Sequence, residues 1–220
     1  MEQVVSSVKA YFVPGKKCRL LYVEGNIGSG KNEVIAALKK KLVNEGKKVF
    51  ILTECVERWS HEHLLQDQYL YPDTRSGKRA FEAVGALRDY IERQRFINEY
   101  EMDYDLIIIE RHPSTTIDVF QADSAVKDLY GTVNRVFPFM KSADLTLYLK
   151  SSPEKCLERI KSKRLEFEAT VHISWLRELD ELHDKMVEKR RISGSTAVTI
   201  DATHNTPQQI ANAASESLFL

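Results

Sequence analysis

Gly25-Asn26-Ile27-Gly28-Ser29-Gly30-Lys31 is the stretch of this chain whose residue types and spacing most directly specify chemistry. It has the form G-x-x-x-x-G-K. Its glycines let the backbone curl so that successive N–H groups converge on a phosphate, and its lysine adds a mobile charge for the outer phosphates. A short apolar run, Leu20–Val23, leads into it and a helical pattern follows, so the positive end of a helix adds to the anion site. The motif normally continues with Ser or Thr, whose hydroxyl binds Mg²⁺. Here the position is Asn32, whose amide oxygen can face a hard cation directly or through water. Three carboxylates end strand-like runs: Glu24 at the loop, Glu54 after Val49–Thr53, and Glu110 after Leu106–Ile109. Glu110 opens Glu110-Arg111-His112-Pro113, and a carboxylate in so apolar a context must be paired or metal-bound. An ion pair of purely structural value between Glu110 and Arg111 is the plain alternative to a catalytic one.

Elements that could position these groups follow from the periodicity. Strand-like runs occur at Leu20–Val23, Val49–Thr53, Leu106–Ile109, Leu145–Leu149 and Ala197–Ile200. Several are apolar throughout, as strands covered by helices on both faces are. Glu33–Val43 carries Val34, Ala37, Leu38 and Leu42 at helical spacing and stops at Asn44-Glu45-Gly46. Phe81–Tyr100 is helical by the same test, and Pro153 opens another helix with Ser152 as its cap. Helices alternating with strands imply a parallel sheet with right-handed crossovers, an α/β fold of three layers (α/β/α) with five strands. Functional groups of such a sheet gather at the C-terminal ends of its strands, where Glu24, Glu54 and Glu110 fall.

Composition bounds the rest. At 220 residues with 43% apolar content, the chain can bury a full core. There are no repeats, linkers or low-complexity tracts, so residues 19–220 read as one domain after an N-terminal extension over 1–18. Glu2 and the lack of an apolar core argue against a secretory signal in that extension. Zero formal net charge gives no basic surface for nucleic acid or membrane, and no apolar run approaches a membrane span. Three cysteines, Cys18, Cys55 and Cys156, lie far apart in no metal spacing, which fits a reducing, cytoplasmic setting. Lys39–Lys41, Lys47–Lys48 and Lys189–Arg191 read as solvated helix faces and ends. His61 and His63 lack a third ligand nearby and read as ordinary histidines.

Several stretches together resemble the deoxynucleoside kinase family, including the herpesvirus-type thymidine kinases. The loop EGNIGSGK is close to the family's EGNIAAGK. Glu54-x-Val56-x-x-Trp59 resembles Glu-Pro-Val-x-x-Trp, with Cys55 in place of proline. Glu110-Arg111-His112 resembles Glu-Arg-Ser, and the His-Pro that follows Arg111 is similar to the Asp-Arg-His-Pro of herpesvirus enzymes. Ser152–Cys156 with Glu158-Arg159-Ile160 resembles the entry to the family's lid, here about residues 161–170. Trp175-Leu176 stands where the family has Tyr-Leu. The likeness spans roughly Leu20 to Ile210.

What the resemblance implies is ATP-dependent phosphorylation of the 5′-hydroxyl of a deoxynucleoside in nucleotide salvage, with ATP and Mg²⁺ bound and a homodimer as the assembly. Residues 25–32, with Lys163 and Arg164 from the lid, would hold ATP. Glu54 would take the proton from the nucleoside hydroxyl, and Arg111 would hold the 5′-oxygen and the transferring group. Glu110, with Asn32, would position Mg²⁺. Trp59, Tyr69 and Phe120 would wall or stack on the nucleoside, and Glu168 would bind the sugar 3′-hydroxyl. Asn205–Ile210 would lie near the adenine.

Departures from the family pattern sharpen the expectation. Asn32 replaces the metal-binding hydroxyl. The lid's paired arginines appear as Lys163 and Arg164 followed by Leu165, which weakens a bidentate phosphate grip. Phe81-Glu82 stands for a Phe-Gln that reads the base edge. A carboxylate only accepts hydrogen bonds, so Glu82 would prefer bases presenting donors, unless it is a solvated helix residue. Thr116 stands where some purine- and cytosine-preferring members have aspartate, leaving room for a thymine methyl and favouring thymidine. Two other readings stay open: a thymidylate or other nucleoside monophosphate kinase, and a nucleotide-binding protein that has lost catalysis.

Overall fold

Burial on both faces shapes the sheet. In the computed structural model, which describes residues 18–54, 87–112, 114–120, 124–136, 144–163 and 171–218, the apolar runs become strands. They are β1 (Arg19–Gly25), β2 (Val49–Leu52), β3 (Leu106–Glu110), β4 (Leu145–Lys150) and β5 (Ala197–Asp201). All pair in parallel in the order β2-β3-β1-β4-β5. Between them run α1 (Lys31–Asn44), α2 (Leu87–Tyr100), α3 (Ser114–Asp118), α4 (Ser124–Val136), α5 (Pro153–Lys163) and α6 (Ile173–Ile192), and α7 (Pro207–Leu218) follows β5. A 3₁₀ turn, Glu101–Asp103, links α2 to β3.

Side chains alternate across β1 and so define the layers. Leu21 and Val23 pack with Val34, Ile35, Leu38 and Leu42 of α1 and with Ile210 and Ala214 of α7. Leu20 and Tyr22 face the other way, with Ile97 of α2 and Ile107 and Ile109 of β3. On β4, Leu147 joins the first layer while Tyr148 packs with Cys156 and Ile160 of α5 and Leu176 and Leu179 of α6. The described residues form the expected three layers with five parallel strands. Among the described residues no helix is long and apolar enough to cross a membrane.

Local signals account for the helix ends. Lys155 N–H donates to Ser152 Oγ at 3.2 Å, so Ser152 is the cap its sequence position suggests. At α7 a capping box closes both ways: Gln209 N–H donates to Thr206 Oγ1 at 3.3 Å, and Thr206 N–H donates to Gln209 Oε1 at 2.8 Å. Of the expected helix Phe81–Tyr100, residues 81–86 lie outside the described residues.

Topology then fixes the site. β1 pairs with β3 on one side and β4 on the other, so the chain reverses direction across the sheet at β1. The crevice outside the C-terminal ends of the strands at such a switch point is where ligands bind. Register brings Val23 opposite Glu110 and Gly25 opposite Leu149, which sets the loop beside the carboxylate end of β3.

Candidate active site

Backbone geometry builds the first half of the site. Gly28 has φ +76°, and a Cβ there would sit 2.5 Å from the Cys156 carbonyl oxygen and 3.0 Å from Ile160 Cγ1. Only glycine fits where the loop lies against α5. Gly30, at φ +91°, turns the chain into α1, whose first intrahelical bond runs from Val34 N–H to the Gly30 carbonyl at 3.1 Å. The N–H groups of the first turn therefore face the loop without helical partners. Asn26 ties the loop down: its Nδ2 donates to the Leu176 carbonyl at 2.8 Å and its Oδ1 accepts from Ile27 N–H at 2.8 Å. Ser29 Oγ is buried and has no hydrogen-bond partner among the described residues.

Lys31 Nζ donates to the carbonyls of Gly25 and Asn26 at 3.2 and 3.1 Å. Burial, and then Arg111 nearby, push its ammonium down to about 8, opposed by Glu110, Glu54 and Glu24. Arg159 of α5 braces the loop to the ends of β4 and β5. It donates to the Ser29 carbonyl at 3.0 Å, Ser151 Oγ at 3.2 Å and the Ala202 carbonyl at 2.9 Å. A cleft of about 240 Å³ opens beside this brace. Its walls run from Gly28 and Gly30 past Arg159 and Lys163 to Asn205 and Ile210, the region expected near an adenine. Glycine cradle, orphaned Ser29 hydroxyl and adjoining cleft together suit a nucleoside triphosphate. Lys163 pairs with Glu33 at 2.8 Å on the cleft's rim.

Charged side chains build the second half. Glu54 Oε2 lies 2.5 Å from Arg111 Nη1, both side chains mostly buried. Arg111 also reaches the Gly25 carbonyl at 3.5 Å and carries its guanidinium 5.4 Å above the Phe120 ring, within cation–π range. Glu110 Oε2 accepts from Glu54 N–H at 3.2 Å. Burial, and next the Glu54 charge, push the Glu110 carboxyl up, against Lys31 and Arg111. The end of the Asn32 amide lies 3.0 and 3.2 Å from the two oxygens of this carboxylate, and the hydrogen-bond network assigns its nitrogen to that side, which sets donor against acceptor. Glu110 thus pairs with Asn32 and the Glu54 backbone, and it is Glu54 that takes the arginine.

The turn after β3 is strained. Arg111 has φ +59°, alone among the described non-glycine residues in being positive. Such conformations cost roughly 1–3 kcal/mol and persist where surroundings over-determine them. Here the surroundings are Val23 O, which accepts from Arg111 N–H at 3.0 Å, and Glu24. Glu24 is fully buried and accepts from His112 N–H at 2.7 Å and Thr115 Oγ1–H at 2.8 Å. The third carboxylate expected at the reacting edge is a structural anchor on the far side of the turn. Arg190 approaches it at 3.7 Å and donates to Thr146 Oγ1 at 3.1 Å. The Lys189–Arg191 patch is therefore not solvated throughout: its middle residue turns inward.

Arg93 on α2 carries no motif signal. It donates to the Glu110 carbonyl at 2.5 Å and the Thr53 carbonyl at 2.9 Å while pairing with Asp89 at 2.5 Å. It thereby clamps the ends of β2 and β3 in position. An Asp–Arg pair at i, i+4 on a helix face turned to an apolar sheet is the signal that marks it. Arg159 is the other missed positioning residue.

Of the residues singled out by sequence, the structure brings Gly25–Asn32, Glu54, Glu110 and Arg111 together at one edge. Phe120 joins them through Arg111. Thr116 sits half-buried on α3 and Lys163 at the cleft. Trp59, Tyr69, Glu82, Arg164 and Glu168 lie outside the described residues, as do His61, His63, Cys55 and most of the 161–170 lid. Among the described residues no three His, Cys, Asp or Glu side chains are placed to cage a metal. Mg²⁺ asks for less: one or two carboxylates beside substrate phosphates and water. Glu110 with the Asn32 amide is a donor set that fits it.

A phosphate-binding loop at the switch point of a five-stranded parallel sheet, faced by a carboxylate–arginine pair, defines a nucleotide-binding α/β protein. Comparison with known proteins narrows the class. The deoxynucleoside kinase family model matches residues 21–217, and the chain belongs to that family. It is 27% identical over 172 residues to a thymidine kinase of Ictalurid herpesvirus 1, covering 74% of this chain and 71% of that one. It is 25% identical over 177 residues to a probable deoxycytidine kinase of fowlpox virus, covering 76% and 71%. Deoxycytidine kinase 1 of Xenopus laevis is 23% identical over 216 residues, covering 81% and 78%. The chain is accordingly a kinase whose family implies ATP as phosphate donor and small-molecule nucleosides as acceptors.

Proposed function

We propose that the chain transfers the γ-phosphoryl group of ATP to the 5′-hydroxyl of a deoxynucleoside, with thymidine the leading acceptor, as a step of nucleotide salvage. The observation that carries this reading is the Glu54–Arg111 pair at 2.5 Å, set beside the phosphate loop. A protein that only held nucleotide would need no carboxylate there. Glu54 takes the proton from the attacking hydroxyl, and Arg111 holds the 5′-oxygen and the transferring group. Lys31 and the loop N–H groups hold the outer phosphates. Positioning and charge neutralisation do most of the work in phosphoryl transfer, and a general base adds about 10²–10⁴-fold. Mg²⁺, held by Glu110 and Asn32, would shield the charge on the phosphates.

Thymidine preference rests on Thr116, which offers no carboxylate to a purine or cytosine amine. The relatives named for thymidine and for deoxycytidine are similarly distant, so their names do not rank the bases. A cytoplasmic homodimer completes the reading. Cys156 is a buried thiol, as a reducing compartment permits.

The test is transfer from radiolabelled ATP with Mg²⁺ to the four deoxynucleosides and to thymidine monophosphate, wild type beside Glu54→Gln. Transfer to a deoxynucleoside that falls at least a hundredfold in the variant is expected. Transfer to the monophosphate alone would replace this reading with a monophosphate kinase. Silence on every acceptor with ATP still bound would make the chain a nucleotide-binding protein without catalysis.

A further inference from the structure

Asn32 stands on the first turn of α1 with its side chain exposed, and its amide reaches both oxygens of the buried Glu110 carboxylate, at 3.0 and 3.2 Å. The same distance has two chemical meanings. Between an amide N–H and a carboxylate, 3.0 Å is an ordinary hydrogen bond. Between two oxygens it is also the cis edge of a magnesium octahedron, since Mg–O bonds of about 2.1 Å at right angles put neighbouring ligands about 3.0 Å apart. An amide carries a donor on one side and an acceptor on the other, so half a turn about its last torsion exchanges the two. No backbone shift is needed, and an exposed side chain has room to make the turn.

We propose that Asn32 is a two-position ligand. Its N–H₂ holds the Glu110 carboxylate when no divalent cation is bound, and its oxygen turns to the cation when one enters with the nucleotide. This rests on the kinase reading above and adds to it a way for Asn to serve where the loop motif places Ser or Thr. A hydroxyl meets both duties by rotating a single proton, whereas the amide must give up its bond to Glu110 before it can ligate. The cation therefore competes with a charge-assisted hydrogen bond. Affinity for the cation is lower than a hydroxyl in this position would give, by about tenfold for one such bond.

Two measurements on the full chain decide the matter. The first titrates Mn²⁺, an oxygen-seeking stand-in for Mg²⁺, into protein with a non-hydrolysable ATP analogue and follows free Mn²⁺ by electron paramagnetic resonance. Asn32→Thr is expected to bind Mn²⁺ about tenfold more tightly than wild type. Equal or weaker binding overturns the proposal. The second follows the Asn32 side-chain N–H₂ resonances of ¹⁵N-labelled protein, assigned by their loss in Asn32→Thr. They are expected to hold on adding the analogue in EDTA and to move upfield when Mg²⁺ follows, as the bond to Glu110 breaks. Resonances indifferent to Mg²⁺ overturn it, and either failure alone is sufficient. Backbone shifts of Gly28 and Gly30 report nucleotide binding in the same spectra. If the nucleotide binds and Asn32 does not respond, this inference falls and the kinase reading stands. If the nucleotide does not bind, both fall.

Discussion

The two halves of the site are made of different materials. On the β1 side, Gly25–Lys31 is a backbone device, shaped by positive φ at Gly28 and Gly30 and braced by Arg159. On the β2–β3 side, Glu54, Glu110 and Arg111 form a side-chain device, pinned from beneath by Glu24 and from α2 by Arg93. The first half offers dipoles that suit any phosphate chain. The second offers one carboxylate and one guanidinium in a fixed relation, which suits one proton and one transferring group. Binding and chemistry should therefore be separable by mutation.

Glu54→Gln makes the sharpest cut. It keeps the side chain's shape and a partner for Arg111 but removes the proposed base, so turnover should fall at least a hundredfold while affinity for an ATP analogue changes little. Parallel loss of both would show that the two halves are one. Gly28→Ala cuts the other way. The new methyl meets the Cys156 carbonyl at 2.5 Å in a conformation that itself disfavours a side chain. Left-handed strain plus overpacking should cost about 2–3 kcal/mol in a urea-unfolding midpoint. Analogue affinity should drop with it, because α5 or the loop has to move. An unchanged affinity would mean the cradle tolerates a distorted Gly28.

The same division explains what was legible beforehand. Backbone devices are local in sequence. The loop motif, the apolar runs that became β1 to β5 and the Ser152 cap could all be read, with strand ends off by a residue or two, as at Arg19–Gly25 against Leu20–Val23. Continuous burial on both faces leaves little choice of structure for such runs. Side-chain devices are long-range. Arg111 reaches Glu54 across 57 positions and Arg159 reaches Ser29 across 130, and neither pairing has a period or spacing of its own. Glu24 looked like its two companions because each ends a strand. Only the alternation of side chains along β1 and the turn at Arg111 decide that it faces His112 and Thr115.

Acid should strain the supports beneath the second half. His112 backs the Arg111 turn and His183 stacks on Tyr148 under α6, and burial pushes both imidazoles down to about 3, with Arg190 adding to the effect at His112. The unfolded chain, with ordinary histidines near 6.5, takes up protons first as the pH falls. Their contribution is thus intact above about pH 6.5 and is lost progressively from there towards 3. Between pH 7 and 5.5 that is roughly 1 kcal/mol for each, or about 2 in total, read from urea midpoints at the two values. Glu110, whose carboxyl is pushed up, works in the opposite sense and offsets part of the loss. A flat profile would mean that these imidazoles are reached by water.

The smallest effect concerns choice of base. Thr116 lies on α3, one residue beyond the Thr115 that Glu24 holds, so its place is set by the side-chain half of the site. Thr116→Asp puts a carboxylate where it can accept from an exocyclic amine and crowds a thymine methyl. The ratio of kcat/KM for thymidine to that for deoxycytidine should fall by about five- to tenfold, the worth of one added hydrogen bond and one lost contact. Nucleotide affinity should stay as it was, because the loop is untouched. If the ratio does not move, base choice is made by residues elsewhere in the chain, and the side-chain half governs the proton and phosphoryl group alone.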